Sequence, residues 1–269
     1  MSINTLMSLR PLPTRTATVR AGKGLAGIAV AIGLWEAIRA AGLVDRRDLP
    51  SMQTVVTTAV TELIDGPLAQ AVTASLRAWA IGLAIATAGG VGLGIALGLL
   101  PQVEVVTRPL LEFVRPIPSV ALIPVALIVF GLGLRMEVIL IAFASIWPVL
   151  FNTKAGVESV DPRHLETGRV LRLSRSARIW RIVLPNALPA IATGVRTAAA
   201  IALVLAITVE LVTGQSGIGL YLQTSRVDGQ AAQTWAAILT AGLLGYALNA
   251  AFLVTERRAL SWSQEHRVQ

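Results

Sequence analysis

The sequence predicts an all-α protein that crosses a bilayer about six times, and three observations carry that class. Of 269 residues, 54% are hydrophobic and 14% are charged, with a mean hydropathy of +0.69. A soluble domain carries about 25% charged residues. The charges also cluster, leaving long uncharged runs near residues 24–44, 72–100, 117–134, 137–152, 187–212 and 232–254. A lipid-embedded backbone must satisfy its own hydrogen bonds, so runs of roughly 20 apolar residues read as spanning helices. The basic residues, finally, fall unevenly between the two sets of connecting segments.

Each element follows from its residues. The first 23 positions are polar and basic, with Arg10, Arg15, Arg20, Lys23, Pro11 and Pro13. They contain no small-residue cleavage site behind a short apolar core, so the first run is expected to be a retained helix. The segment Asp45–Ala69 follows, with Leu49-Pro50-Ser51 and a short interfacial helix expected over Thr54–Ile64. The second run is dense in glycine (Gly82, Gly89, Gly90, Gly92, Gly94, Gly98). In lipid, small residues allow helices to approach closely, and packing is their expected role. Pro116, Pro118 and Pro124 open the third run, where they remove backbone donors and prevent regular helix in its first turns. Broken helix at membrane depth has to be covered by protein or water, so this run is expected to face a solute path or a partner; the bland alternative is an ordinary kink. Glu36, Arg77, Arg196 and Glu210 are the ionisable residues within or at the ends of the runs. Such groups either face a functional interior or snorkel to water. Glu210 precedes Thr213-Gly214-Gln215-Ser216-Gly217-Ile218-Gly219, which is expected to be a flexible outer loop acting as a gate or docking surface.

Orientation follows from charge. With the N-terminus inside, the inner segments hold Arg10, Arg15, Arg20, Lys23, Arg108, Arg115, Lys154, Arg163, Arg169, Arg172, Arg175, Arg178, Arg181, Arg257, Arg258 and Arg267. The outer segments hold Arg46, Arg47, Arg135 and Arg226. This bias predicts both termini in the cytoplasm and an even number of spans. The excess of Lys and Arg is therefore read as topology and not as a nucleic-acid surface. Without cysteine there is no disulfide, Cys-ligated zinc or Cys nucleophile, and His164 and His266 stand apart in polar segments, so neither a metal site nor a catalytic residue is expected. No Gly-x-x-x-x-Gly-Lys-Ser/Thr phosphate loop occurs.

One inner loop stands out. It runs from Asp161 through Arg163, Glu166, Gly168 and Arg172 to Ser174, and then reaches Ile182-Val183-Leu184-Pro185. Arg163–Leu173 predicts one short helix, with Asp161 and Pro162 as cap and first turn. Ser174 could cap a second helix, and Pro185 and Pro189 predict a break at the membrane surface where the next span begins. By itself the loop is either a rod that enters a partner or a solvated basic segment on anionic lipid.

Glu166, Ile182, Leu184 and Pro185 stand at the spacing of Glu-Ala-Ala, three residues, Gly, nine residues, Ile, one residue, Leu-Pro. Thr167 and Gly168 replace the two alanines, and Arg172 stands at the glycine. The loop thus resembles the EAA loop of ABC-transporter permeases. Arg115-Pro116-Ile117-Pro118-Ser119-Val120-Ala121-Leu122-Ile123-Pro124 with Phe130-Gly131-Leu132-Gly133 resembles the permeases for taurine, alkanesulfonates, nitrate and bicarbonate. Leu34-Trp35-Glu36, Ala74-Ser75-Leu76-Arg77 and Ser159-Val160-Asp161-Pro162 resemble other parts of the same group, and the likeness covers most of residues 34–260.

The resemblance implies a type I ABC importer permease. Its transmembrane domain would cover 24–260, with a core over about 68–255 and a coupling loop over about 154–186, flanked by tails 1–23 and 261–269. Arg163, Glu166, Thr167, Gly168, Leu171, Arg172, Leu173 and Pro185 would couple to an ATPase, while Arg77, Pro116, Pro118, Ser119, Pro124 and Glu210 would line the path or gate. It implies a second copy of the chain, two ATPase subunits that carry the ATP and Mg, an extracytoplasmic substrate-binding protein, a bacterial inner membrane around it and a small anionic solute. A self-contained secondary transporter would usually show internal repeats and mid-span coupling carboxylates, and the sequence has no convincing case of either.

Overall fold

Helix follows helix from Arg15 to Ala259, the residues that this computed structural model describes, with no strand among them. Most of the 1–23 tail and the 261–269 tail, with Arg10 and His266, lie outside the described residues. Helix α1 (Arg15–Ala40) carries the first apolar run and α2 (Met52–Ile64) is the short helix expected after it. Ser51 caps α2 by accepting the Thr54 N–H at 3.1 Å. The connection between them is fixed by two indoles: Trp35 donates to the Pro50 carbonyl at 3.0 Å and Trp235 to the Asp48 carbonyl at 2.8 Å. The two rings meet edge to face with centroids 4.7 Å apart.

Three long helices form the centre: α3 (Leu68–Leu99), α6 (Leu134–Glu158) and α9 (Leu184–Thr213), with α6 between the other two. The glycines of the second run explain the fit. An added Cβ would lie 2.7 Å from Val149 Cβ at Gly90, 2.6 Å from Thr153 Cβ at Gly94 and 2.8 Å from Val157 Cβ at Gly98. One glycine per turn thus presents bare backbone to α6. The other side of α6 repeats the device against α9, where a Cβ at Gly156 would lie 2.8 Å from that of Ala190. Packing is therefore what these glycines do; Gly92 alone in the run faces open space. Ala78, Ile141, Val149, Ala198 and Ala202 fill the centre of the bundle.

The third run, 117–134, holds a 3₁₀ turn (Ser119–Leu122) and the short α5 (Ile123–Phe130). Helix α4 (Pro101–Val114) precedes it, and the two are bent by 81°. Pro116 and Pro118 lie in the bend and Pro124 in the first turn of α5, where missing N–H groups cost least. Residues 101–114 fall between the second and third apolar runs, and no helix was expected there. Glu104 of α4 is held at 2.7 Å by Lys154 of α6, which also pairs with Glu158 of its own helix at 2.9 Å, while Arg108 and Glu112 pair at the exposed surface. Val105, Val106, Leu110 and Phe113 of α4 are exposed. Gly131, at φ 70°, caps α5 and lets the chain reverse into α6.

After α6 come α7 (Pro162–Val170) and α8 (Arg175–Arg178), then a π-helical turn (Ile179–Val183) that runs straight into α9. The expected break at Pro185 and Pro189 is absent, and Arg175–Thr213 is one helical stretch of 39 residues. The wider π turn takes up the strain of Pro185, whose ring would otherwise press on the preceding turn. Helix α10 (Ile218–Val227) and α11 (Ala231–Ala259) complete the chain. Among the described residues four stretches are long and apolar enough to cross a bilayer, namely α3, α6, α8–α9 and α11, and the bent α4–α5 pair makes a fifth if counted as one broken span.

Candidate functional site

The spans present two distinct ends. At one end α7 stands between α6 and α8. Asp161 caps it, accepting the Arg163 N–H at 2.8 Å, and Pro162 occupies the first turn. The helix ends at Val170, shorter than expected. Leu171 is the cap, and Arg172 takes the left-handed conformation at φ 52°. Arg172 donates its N–H to Arg169 O at 2.9 Å and Leu173 to Gly168 O at 3.0 Å, the paired bonds of a glycine-type helix end. Arg172 thus keeps the turn that the glycine of the permease pattern would make. Ser174 caps α8 as expected, accepting the Ala177 N–H at 3.2 Å.

The residues of α7 divide by face. Gly168 turns inward: it is buried, and an added Cβ would sit 2.7 Å from Ile182 Cδ1 and 3.3 Å from Arg178 Cγ. Leu165 packs beside Ile182 on the buried cluster of Val157, Val160, Val183 and Ala187. Arg163, Glu166 and Thr167 face outward, and the Thr167 hydroxyl bonds back to Arg163 O at 2.9 Å. Among the described residues Glu166 makes no ion pair with the nearby arginines. Val170 and Leu171 are 82% and 66% exposed, and Trp180 is 67% exposed. Leu173 and Pro185 are half-buried. An apolar tip of this kind, surrounded by Arg163, Arg169 and Arg172, is unsatisfied by the chain itself.

At the far end of the same spans, Glu210 lies fully buried, so of its two alternatives it faces the interior and does not snorkel to water. Its Oε2 accepts the Gly219 N–H at 2.8 Å, and Ser75 Oγ accepts the Ile218 N–H at 2.9 Å. Helix α10 is therefore anchored at its first turn to both α9 and α3. A Cβ on Gly217 or Gly219 would collide with the Glu210 side chain. The Gly-rich segment expected to be a flexible loop is instead a short link into α10, closed by Gly214 as the left-handed cap of α9 at φ 71°. Sequence reasoning missed Glu137, which is 3% exposed in the first turn of α6 with its carboxylate against that of Glu210. No local signal marks it, since the two positions are 73 apart in the chain. Arg77, two positions after Ser75 and hence on another face of α3, is exposed. Pro116, Pro118 and Pro124 are exposed around the bend and Ser119 is half-buried there. Near the same end, burial and then the adjacent Glu62 carboxylate push the Tyr221 phenol up, which keeps it protonated.

A bundle of apolar helices with a broken span and a projecting loop helix is the architecture of a transporter's membrane component. Residues 88–259 match the family described as binding-protein-dependent transport system inner membrane component, and the chain belongs to that family. It is the membrane-spanning permease of an ABC importer. It is 30% identical over 244 residues to the putative aliphatic sulfonates transport permease protein SsuC of Bacillus subtilis (strain 168), across 91% of this chain and 88% of that one. It is 29% identical over 243 residues to the taurine transport system permease protein TauC of Escherichia coli (strain K12), across 88% of each. Its fold resembles that of a chain in the inward-facing MetNI methionine ABC transporter, with a TM-score of 0.64 and 14% identity over 71% of this chain and 95% of that one.

Proposed function

We propose that two copies of this chain enclose the path for a small anion, that two ATPase subunits grip the two α7 helices, and that an extracytoplasmic binding protein delivers the solute at the opposite end. Both termini lie in the cytoplasm in this reading, in agreement with the distribution of Lys and Arg. The observation that carries it is the exposed apolar tip of α7, with Val170 and Leu171 held outward by a fixed cap and turn while Leu165 and Gly168 seat the helix on the bundle. Buried apolar anchors inside a polar rim dominate interfaces of this sort. The tip therefore suits a cleft in a partner better than it suits water or lipid headgroups. Closure of the ATPase pair would move α7 together with the α8–α9 stretch that continues from it, and so bias the spans between two arrangements.

The sulfonate and taurine specificities of the two relatives favour an organosulfonate, with nitrate and related oxyanions as the second choice. In this reading Arg77 and the proline bend border the path, and their exposure supports it. The test is Leu171→Asp in the assembled complex. It should lower co-purification of the ATPase and ATP-driven taurine uptake by about tenfold or more, the effect of losing one anchor, while the melting temperature stays unchanged because the residue is exposed. Normal uptake and normal ATPase recovery in this variant and in Glu166→Ala would remove α7 from the coupling role.

A further inference from the structure

Among the described residues, Glu137 and Glu210 are the only acidic side chains that are buried. Their carboxyls meet between α6 and α9, at the end of the bundle opposite α7, and neither forms an ion pair among the described residues. Helix α3 brings the Ser75 hydroxyl to Glu210, and α10 brings the Gly219 N–H at 2.8 Å. The 3₁₀ turn and α5 bring apolar Leu122, Ile123 and Ala126, and α9 adds Leu205 and Val209; these pack on Met136, next to Glu137. The nearest cations on the same elements point away. Arg135 is exposed over the Phe130 ring at 5.8 Å, and Arg77 is exposed on another face of α3. The two carboxyls are not equivalent. Glu210 has the Ser75 and Gly219 donors and the positive end of the ten-residue α10. Glu137 has no such donor: its Oε1 is shut from solvent and finds no partner among the described residues. Two ionised carboxylates in contact, with no cation beside them, repel strongly where screening is weak. One proton removes that conflict and turns one of the two acceptors into a donor.

We propose that Glu137 and Glu210 share one proton, and that this carboxylic acid–carboxylate pair is the latch that holds α10 on the bundle. The proton rests on Glu137, because the charge on Glu210 is the one that the Gly219 N–H and the helix end satisfy. Glu137 is thus a positioning residue that acts on α10 through Glu210. Removal of the proton by base leaves two charges in contact. Repulsion then moves Glu210 from its seat against Gly217 and Gly219, and α10 loosens from α9 and α3. The closed pair holds a proton that two separated carboxyls have lost at neutral pH. The latch is therefore closed at neutral pH and opens as pH rises. It goes beyond the proposed function, because it requires neither the ATPase nor any particular transported solute.

The experiment follows two signals in the full-length chain, purified in detergent with its ATPase. The first is the infrared difference between wild type and Glu137→Gln at neutral pH. It should show the carbonyl absorption of one protonated carboxyl in wild type and its loss in the variant. The second is amide hydrogen exchange in α10. A side-chain amide also donates to Glu210 and does not titrate, so Glu137→Gln should hold α10 at every pH. At alkaline pH, Ile218–Val227 of wild type should exchange at least about threefold faster than the same segment of the variant, with equal rates at neutral pH. If Glu137→Gln does not fold, the wild-type titration decides alone: the absorption should vanish over the pH range in which α10 loosens. Wild type with no protonated carboxyl at neutral pH, the same absorption in Glu137→Gln, or equal α10 exchange at alkaline pH would overturn the latch. Leu171→Asp should leave both signals unchanged, so a failure of the coupling role of α7 and a failure here are distinguishable.

Discussion

Arg172 shows how one backbone angle survives a change of residue. The permease pattern has glycine at this position, and the chain still closes α7 with a left-handed residue at φ 52°. Such a conformation costs a non-glycine residue roughly 1–2 kcal/mol, part of which glycine gives back through the freedom of its unfolded chain. Arg172→Gly should therefore raise stability by up to about 1 kcal/mol, seen as a small rise in melting temperature in detergent. A fall would mean that the arginine side chain makes a contact worth more than the strain. Gly168 carries a complementary lesson. Its small size was legible, but the direction it faces was not, because inward and outward smallness look alike in a sequence. Here Ile182 and Arg178 fill the space beside it. Glu210 was legible as an ionisable group at the end of a span, whereas its burial against Glu137 and its bond to Gly219 depend on contacts that only the folded chain makes. Glu210→Ala should leave the buried Gly219 N–H without its acceptor and cost about 1–3 kcal/mol. A melt of the variant checks this, and an unchanged melting temperature would mean that α10 is held elsewhere.

Elements were read best where periodicity or composition repeats over many residues. The centres of α3, α6, α9 and α11 fall within the predicted runs, and α2 covers the short helix expected over Thr54–Ile64. The misses are short helices whose reason is tertiary. The ten residues of α10 follow a glycine cluster that reads as a loop, and they are fixed by Ser75 and Glu210 from other helices. Helix α4 was obscured because apolar Val105, Val106, Leu110 and Phe113 are exposed together with polar Gln102, Arg108 and Glu112, and none of its residues is buried. The bend between α4 and α5 makes a prediction at this scale. Replacing Pro118 and Pro124 together by Leu restores two N–H donors and favours a straighter span. Uptake should fall several-fold with the protein still inserted and its ATPase still bound. Uptake at the wild-type rate would show that the 81° bend is incidental to the cycle.

At the scale of the whole molecule, one chain leaves two surfaces unfinished. The outer face of α4–α5 exposes Val105, Val106, Leu110, Phe113, Val125 and Ile128 around a broken backbone, and the tip of α7 exposes Val170 and Leu171. The two differ in what they need. Exposed apolar side chains on a spanning surface are satisfied by lipid, but irregular backbone at that depth requires protein or a water-filled cavity beside it. The bend at Pro116–Pro118 is thus better covered by a second copy across a path than by acyl chains, while the α7 tip lies outside the spans and calls for a soluble partner. Under the proposed function these two demands predict a stoichiometry: copies of the chain should pair through the bend and each copy should carry one ATPase on its α7. Native mass spectrometry of the tagged chain, released from cells that express its natural neighbours in mild detergent, should show two copies of this chain with two of an ATPase. Leu171→Asp should shift that population to the pair of permease chains alone, because it alters one surface and leaves the other intact. A monomeric chain with one ATPase would separate the two demands and assign the bend to lipid or water, and a chain recovered with no partner at all would leave the apolar tip of α7 without its proposed use.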